Sequence, residues 1–242
     1  MDWAAPDLAI FHAINGFCGR SWVLDHVLGA LQGNNLVGGG LCLATFWALW
    51  FDPAKDQVRR REILITLLFA AVLSLLANRL LSVLLPFRGR PMFNPGSGYR
   101  APLYGEHEIP GYDLENWSGF PSDNATFYFA LVTGFWLLSR QLGIFFTLYN
   151  IVSVMLPRIY FGLHYPSDLL VGALIGIGVT LAVERERIQN FVGRRVLTLK
   201  ERAPACFHGA MFLATFETGN LFLNVRGFGR TAIRILRHYQ YL

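Results

Sequence analysis

Charge is scarce in this sequence. Of 242 residues only 15% are Asp, Glu, Lys or Arg, while 53% are hydrophobic. An ordinary soluble domain is ~25% charged. One core in a domain of this size does not absorb that deficit, so an ordinary soluble globule is excluded and a membrane protein is indicated. Cysteine is scarcer still. Cys18, Cys42 and Cys206 are odd in number and lack any CxxC or Cys/His spacing, which indicates neither a disulfide framework nor a zinc site. Each suits a small buried hydrophobe. His12, His26, His208 and His238 lack metal-like spacing as well, so no metal or other cofactor is expected. Lysine is nearly missing: Lys55 and Lys200 stand alone among 21 basic residues. The N-terminus opens with an acid and has no basic n-region, so no signal peptide is expected. With 20 Phe the chain is not a disordered one.

What is present is a set of apolar runs. A spanning helix takes ~20 mostly apolar residues. Ile63–Leu85 fits best, broken only by Asn78 and Arg79. Leu36–Phe51 is shorter, and Ser122–Leu138 and Leu142–Leu156 flank a polar Ser139-Arg140-Gln141 turn. Pro166–Val183 is a fifth span, and Ala205–Val225 a weaker sixth because Glu217, Asn220 and Asn224 interrupt it. Residues 6–31 read as amphipathic and interfacial.

The net charge of +5 comes from basic residues that flank these runs. They form no single stripe, so the basic partner is a membrane and not nucleic acid. Short cytoplasmic loops collect Lys and Arg. Lys55 and Arg59 to Arg61 follow the first span, Arg140 the third, and Arg185, Arg187, Arg194, Arg195, Lys200 and Arg202 the fifth. Alternating spans place all of these on one, cytoplasmic, side. The 86–121 and 157–165 loops then share the external face. Arg226, Arg230, Arg234 and Arg237 form a basic C-terminal tail suited to anionic head groups. The 86–121 loop carries six of the eleven prolines and no periodic apolar pattern, which predicts a structured or lid-like loop.

Three polar clusters lie where the external loops meet helix starts: Arg88-Gly-Arg90-Pro91, Phe120-Pro-Ser122-Asp-Asn124, and Pro157-Arg158 through His164-Tyr-Pro166-Ser-Asp168. Pro166 suits the first turn of a helix, which puts Asp168 in that turn and within reach of His164. A carboxylate beside an imidazole fixes its tautomer and stabilises imidazolium. Arg158 can grip an oxyanion in bidentate fashion. Ser122 or Asp123 can cap the third span, leaving backbone N–H groups that favour an anion. Alone, each cluster has a plain structural reading: a surface histidine, an ordinary cap, snorkelling arginines. Together they put Arg88, Arg90, Arg158, His164 and two helix N-termini on one membrane face. That is an anion site with a potential nucleophile, and phosphate is its natural occupant.

These residues resemble the type 2 phosphatidic acid phosphatase (PAP2) superfamily of membrane lipid phosphatases. Arg158, His164 and Asp168 match its third motif in full. Pro121 and Ser122 match the second, where Asn124 replaces a histidine; Arg90 and Pro91 match the first, where Val83 replaces a lysine. The resemblance implies that His164 attacks phosphorus to give a phosphohistidine, with Asp168 polarising it. Arg90, Arg158 and the backbone around Ser122 would hold the phosphate oxygens, and Arg88 is a further candidate. It also implies metal-independent hydrolysis of a lipid phosphate or diphosphate at the external face of a bacterial-type cytoplasmic (inner) membrane. The expected fold is all-α: a polytopic membrane helical bundle of five or six transmembrane helices with an N-terminal interfacial helix. It forms one domain over 1–242, with a phosphatase-like core at 63–184 and an apolar segment and basic tail at 205–242.

The departures leave three readings open. An amide has no proton to give, so Asn124 cannot protonate a leaving group. A diphosphate lipid expels a phosphate monoester and needs little acid help, whereas general acid catalysis contributes roughly 10²–10⁴-fold for poorer leaving groups. Alternatively Glu106, His107, Glu108 or Asp123 supplies the proton. In the third reading the chain binds lipid phosphates with little turnover. A lipid phosphotransferase would use the same site, and Arg88 or Arg79 could stand in for the lysine missing at Val83.

Overall fold

Hydrocarbon offers the backbone no water to pair with, and a helix satisfies its polar groups within its own segment. The computed structural model describes residues 4–53, 55–109 and 114–221, and among these the long regular elements are all helices. They are α1 (Ala4–Asn15), α2 (Trp22–Gly33), α3 (Leu36–Phe51), α4 (Gln57–Leu84), α5 (Asp123–Leu138), α6 (Arg140–Tyr160), α7 (Pro166–Val183), α8 (Glu186–Arg202) and α9 (Pro204–Gly219). Among the described residues three helices, α4, α6 and α7, are long and apolar enough to cross a membrane, and α3 is a shorter apolar helix. Of the weak sixth segment α9 takes up Pro204–Gly219. The last part of that segment and the arginine-rich tail lie outside the described residues.

The core forms where α4, α5, α6 and α7 meet. Leu67, Phe127, Leu131, Phe135 and Phe146 are buried there, and the Phe135 and Phe146 rings stack at 4.4 Å. Helices α5 and α7 approach closely, and the approach depends on two glycines. A Cβ at Gly176 would sit 2.1 Å from the Thr126 carbonyl, and one at Gly172 2.5 Å from the Ser122 carbonyl. Small residues at such a seam let two backbones touch. The turn between α5 and α6 is a single extended residue, Ser139.

The described residues of the 86–121 loop include short 3₁₀ turns at Pro91–Phe93, Pro95–Ser97 and Glu106–Glu108. Buried polar side chains from the first two helices fasten it. Asn15 donates to the carbonyls of Arg100 (3.0 Å) and Tyr160 (2.8 Å) and accepts from Arg100 N (2.8 Å). Asp25, fully buried, accepts from Leu103 N (2.8 Å) and the Tyr160 hydroxyl (2.5 Å). Buried polar groups almost always find such partners. The expected interfacial stretch 6–31 is thus two helices whose inner faces hold the loop. Met92 N also donates to Gly162 O at 2.9 Å, joining this loop to the turn before α7. The two loops expected on one face therefore meet at one end of the bundle.

Candidate active site

The start of α5 is set from α4. Asn78 and Arg79, which break the apolar run of that helix, both reach α5. The buried Asn78 amide donates to Pro121 O (3.1 Å) and Asp123 Oδ1 (2.7 Å) and accepts from the Thr126 hydroxyl (2.9 Å). Arg79 pairs with Asp123 and lies over the Trp117 ring at 5.1 Å. Asp123 and Arg79 are therefore engaged with each other, one a proposed proton donor and the other a proposed substitute for the lysine. Ser122 takes the N-cap of α5, accepting from Ala125 N.

The start of α7 is set by its own sequence. Leu163 and His164 both donate their N–H to Arg158 O (2.9 and 3.3 Å), closing a tight turn that passes through Gly162 at φ +66. Only glycine takes that backbone conformation without strain. A Cβ there would also meet the Tyr99 ring at 2.7 Å. Pro166 then opens α7, and Asp168 accepts from Tyr165 N at 2.7 Å through Oδ2. Ser122 N donates to Asp168 O at 3.1 Å, so the two helix starts are joined.

Between them lies His164, 3% exposed. Its Nδ1 is 2.9 Å from Gly119 O and 3.7 Å from Asp168 Oδ2. A carbonyl can only accept, which assigns the proton to Nδ1. Nε2 is then a bare lone pair, 3.3 Å from both the Ser122 hydroxyl and Arg90 Nη1, each of which can donate to it. Burial first, and then the positive charges of Arg90 and Arg158, hold the imidazole below its ordinary value, against the pull of Asp168. The neutral form is favoured.

The four arginines near this site differ in what they meet. Arg90, 6% exposed, donates from Nη1 to Leu163 O at 2.9 Å and borders Nε2. Arg158 sits in the last turn of α6 with its buried Nε lacking a hydrogen-bond partner. Arg88 is gripped by two carboxylates, with Nη1 2.7 Å from Asp168 Oδ1 and Nη2 2.6 Å from Asp7 Oδ2. Arg79 faces Asp123. The structure thus brings Arg90, Ser122, His164 and Asp168 into direct contact and ties Arg88 to them through Asp168. Asn124 lies in the first turn of α5 with its Oδ1 buried and unpartnered. Val83, in the lysine slot, is 82% exposed, so that position faces outward. Glu108 stands close to Tyr104, whose phenol is pushed up to about 12, chiefly by burial. A cleft of about 520 Å3 opens beside Arg88 and Tyr165, lined also by Asp7, Phe87, Phe93 and Asn94.

Two participants carry no motif. Gly119 contributes a backbone carbonyl, which residue identity does not reveal. Asp7 arrives from a helix far away in sequence; an acid on a helix that buries its inner face is the one available signal.

A family model described as the PAP2 superfamily matches residues 64–186. No curated protein and no solved structure matches the chain.

Proposed function

The chain belongs to the PAP2 superfamily, and from that premise we propose that it is a membrane lipid phosphatase acting through a phosphohistidine on His164. Membership implies phosphatase-type activity on phosphate esters. The observation that carries the finer reading is the His164 ring, with its Nδ1–H donated to Gly119 O and its Nε2 lone pair facing Arg90 and Ser122.

The Nε2 lone pair forms the N–P bond while the P–O bond to the leaving group breaks, and that electron pair departs on the leaving oxygen. Arg90, Arg158 and the free N–H groups of the α5 start hold the phosphoryl oxygens. Donors fixed in a dry site are worth most there, since they need no reorganisation as charge develops. Once phosphorylated, His164 carries positive charge that Asp168 offsets. Water then attacks phosphorus, the N–P bond breaks, and inorganic phosphate leaves with the proton that water gives up.

Asn124 has no proton for the leaving oxygen. The favoured substrate is therefore a diphosphate such as a polyprenyl diphosphate, whose leaving monophosphate departs as a stable anion. The basic residues of the opposite end, Lys55, Arg59 to Arg61, Arg140 and Arg185 among them, favour the cytoplasm. The site then opens on the external face of a bacterial-type cytoplasmic membrane.

Phosphate release from polyprenyl diphosphate and from phosphatidic acid by purified protein tests this reading, with His164→Ala as control. We expect faster release from the diphosphate and none from the variant. No release from either lipid, with lipid-phosphate binding intact, overturns it. Asn124→His should raise monoester hydrolysis more than diphosphate hydrolysis, and an equal effect on both removes the leaving-group argument. Because His164 is held neutral below the ordinary imidazole value of 6.5, the acid limb of the rate profile should lie below that pH.

A further inference from the structure

Asp7 sits in the first turn of α1, where a helix favours an acid. Its surroundings go beyond that. The residue is 4% exposed and both carboxylate oxygens are engaged outside its own helix. Oδ1 accepts from Ser167 N at 2.8 Å, on the first turn of α7. Oδ2 accepts from the Ser167 hydroxyl at 2.5 Å and from Arg88 Nη2 at 2.6 Å. Arg88 Nη1 in turn donates to Ser167 Oγ and to Asp168 Oδ1, both at 2.7 Å. Asp168 Oδ2 lies 3.7 Å from His164 Nδ1. An unbroken line of charge runs from α1 through the loop to α7 and ends on the histidine.

The signs along this line matter. Arg88 alone would cancel Asp168 and leave His164 without a counter-charge. Asp7 cancels Arg88 instead, so the three groups together present one net negative charge to the imidazole. Charge-assisted contacts of this length are strong and directional, and a low dielectric screens them little. Facing His164 otherwise are Arg90 from the loop, Arg158 from α6, the Ser122 hydroxyl from α5 and the Gly119 carbonyl.

We propose that Asp7 is a positioning residue of the active site: it neutralises Arg88 and fixes it on Asp168, so that Asp168 keeps its charge for His164. This rests on the reading of His164 as the nucleophile. It also carries the working site beyond residues 64–186, the segment that matches the family model, because α1 supplies part of it. Arg88 then holds a carboxylate and not phosphate.

The experiment is a charge cycle in the full-length protein: Asp7→Asn, Arg88→Gln and the double variant, with Asp7→Glu as the conservative replacement. Polyprenyl diphosphate hydrolysis is followed across pH, and the His164 ring is titrated by NMR. Asp7→Asn removes a negative charge, so the His164 titration and the acid limb of kcat should both move to lower pH. Misplacement of this kind costs roughly up to 10²-fold in rate, and the loss should fall on kcat more than on KM. Arg88→Gln removes a positive charge and should move both to higher pH. The double variant should return towards the starting value, because the two opposite charge changes offset each other and leave the single negative charge of Asp168 facing His164. Asp7→Glu should restore most of the rate. A uniform loss of rate at every pH, with an unmoved titration in Asp7→Asn, overturns the proposal, and so do shifts of the same sign in Asp7→Asn and Arg88→Gln. If the unaltered protein releases no phosphate, the functional reading fails, yet the His164 titration still decides the role of Asp7.

Discussion

At one end of the bundle Arg90 is 6% exposed and borders His164, and Arg88 lies between Asp7 and Asp168. At the other end Arg194 has 71% of its side chain in the open and approaches Glu62 only to 3.7 Å. There Arg60 pairs with Asp52 and Asp56 at the surface, Arg61 donates to Trp50 O, and Arg195 rests on the Phe191 ring. The residue type is the same, and the solvent makes the difference. Water screens one set of charges, leaving each arginine nearly independent of its neighbours. In the other set Arg90 and the carboxylates that grip Arg88, Asp7 and Asp168, are buried, so each charge fixes the next. On the proposed reading, arginine at the exposed end sets the orientation in the membrane, and at the site end it serves the reaction.

Substitutions at the two ends should therefore differ widely in effect. The largest loss is expected for Arg90→Ala, which removes a fixed donor from the phosphoryl oxygens and leaves Leu163 O without its partner. The cost should be roughly 10²–10³-fold in kcat, read by phosphate release. An Arg90→Ala enzyme within twofold of the original would erase the contrast between the ends.

A middle-sized effect is expected from a partly buried carboxyl at the exposed end, Glu184. Glu184, just past α7, accepts from the Thr66 hydroxyl at 2.5 Å, while its Oε2 is buried without a partner. Burial pushes its carboxyl up from 4.5 to about 7, and the Thr66 hydrogen bond opposes this. Between these values the folded protein keeps a proton that the unfolded chain gives up. The Glu184 contribution to stability should therefore be full below pH 4.5, decline as pH rises to about 7, and be lost above it. Glu184→Gln should flatten that decline in thermal unfolding and raise the melting temperature above pH 7 relative to the parent. A Glu184→Gln curve with the same slope as the parent across this window would refute the assignment.

The smallest effect belongs to Arg60→Ala. With 26% and 45% of the two side chains exposed, the pair with Asp52 should contribute less than about 1 kcal/mol. The variant should melt near the parent and keep its activity.

Much of this arrangement was legible in the chain. The runs that became α4 and α7 are long, apolar and bounded by charge or proline, and no other element type can bury them in hydrocarbon. The separations between Arg158, His164 and Asp168 were legible too, because a tight turn followed by a proline-opened helix converts those spacings directly into contacts. Arg88 was placed at the right end, but its partner was not, since an arginine in a loop can meet either a phosphate or a carboxylate. Asp7 is 160 residues from Ser167 in sequence and no spacing rule spans that distance. The Gly119 carbonyl has no residue signature at all. Val83 shows the converse: the motif position could be aligned, yet only the helix register reveals that it points outward.

The glycine seam between α5 and α7 bears on how a substrate gets in. At Gly172 and Gly176 the two backbones lie so close that a single methyl group would collide with a carbonyl oxygen. A gap that refuses one carbon also refuses an isoprenoid or acyl chain. The tail of the proposed lipid substrate would therefore have to enter and leave by some other flank of the bundle.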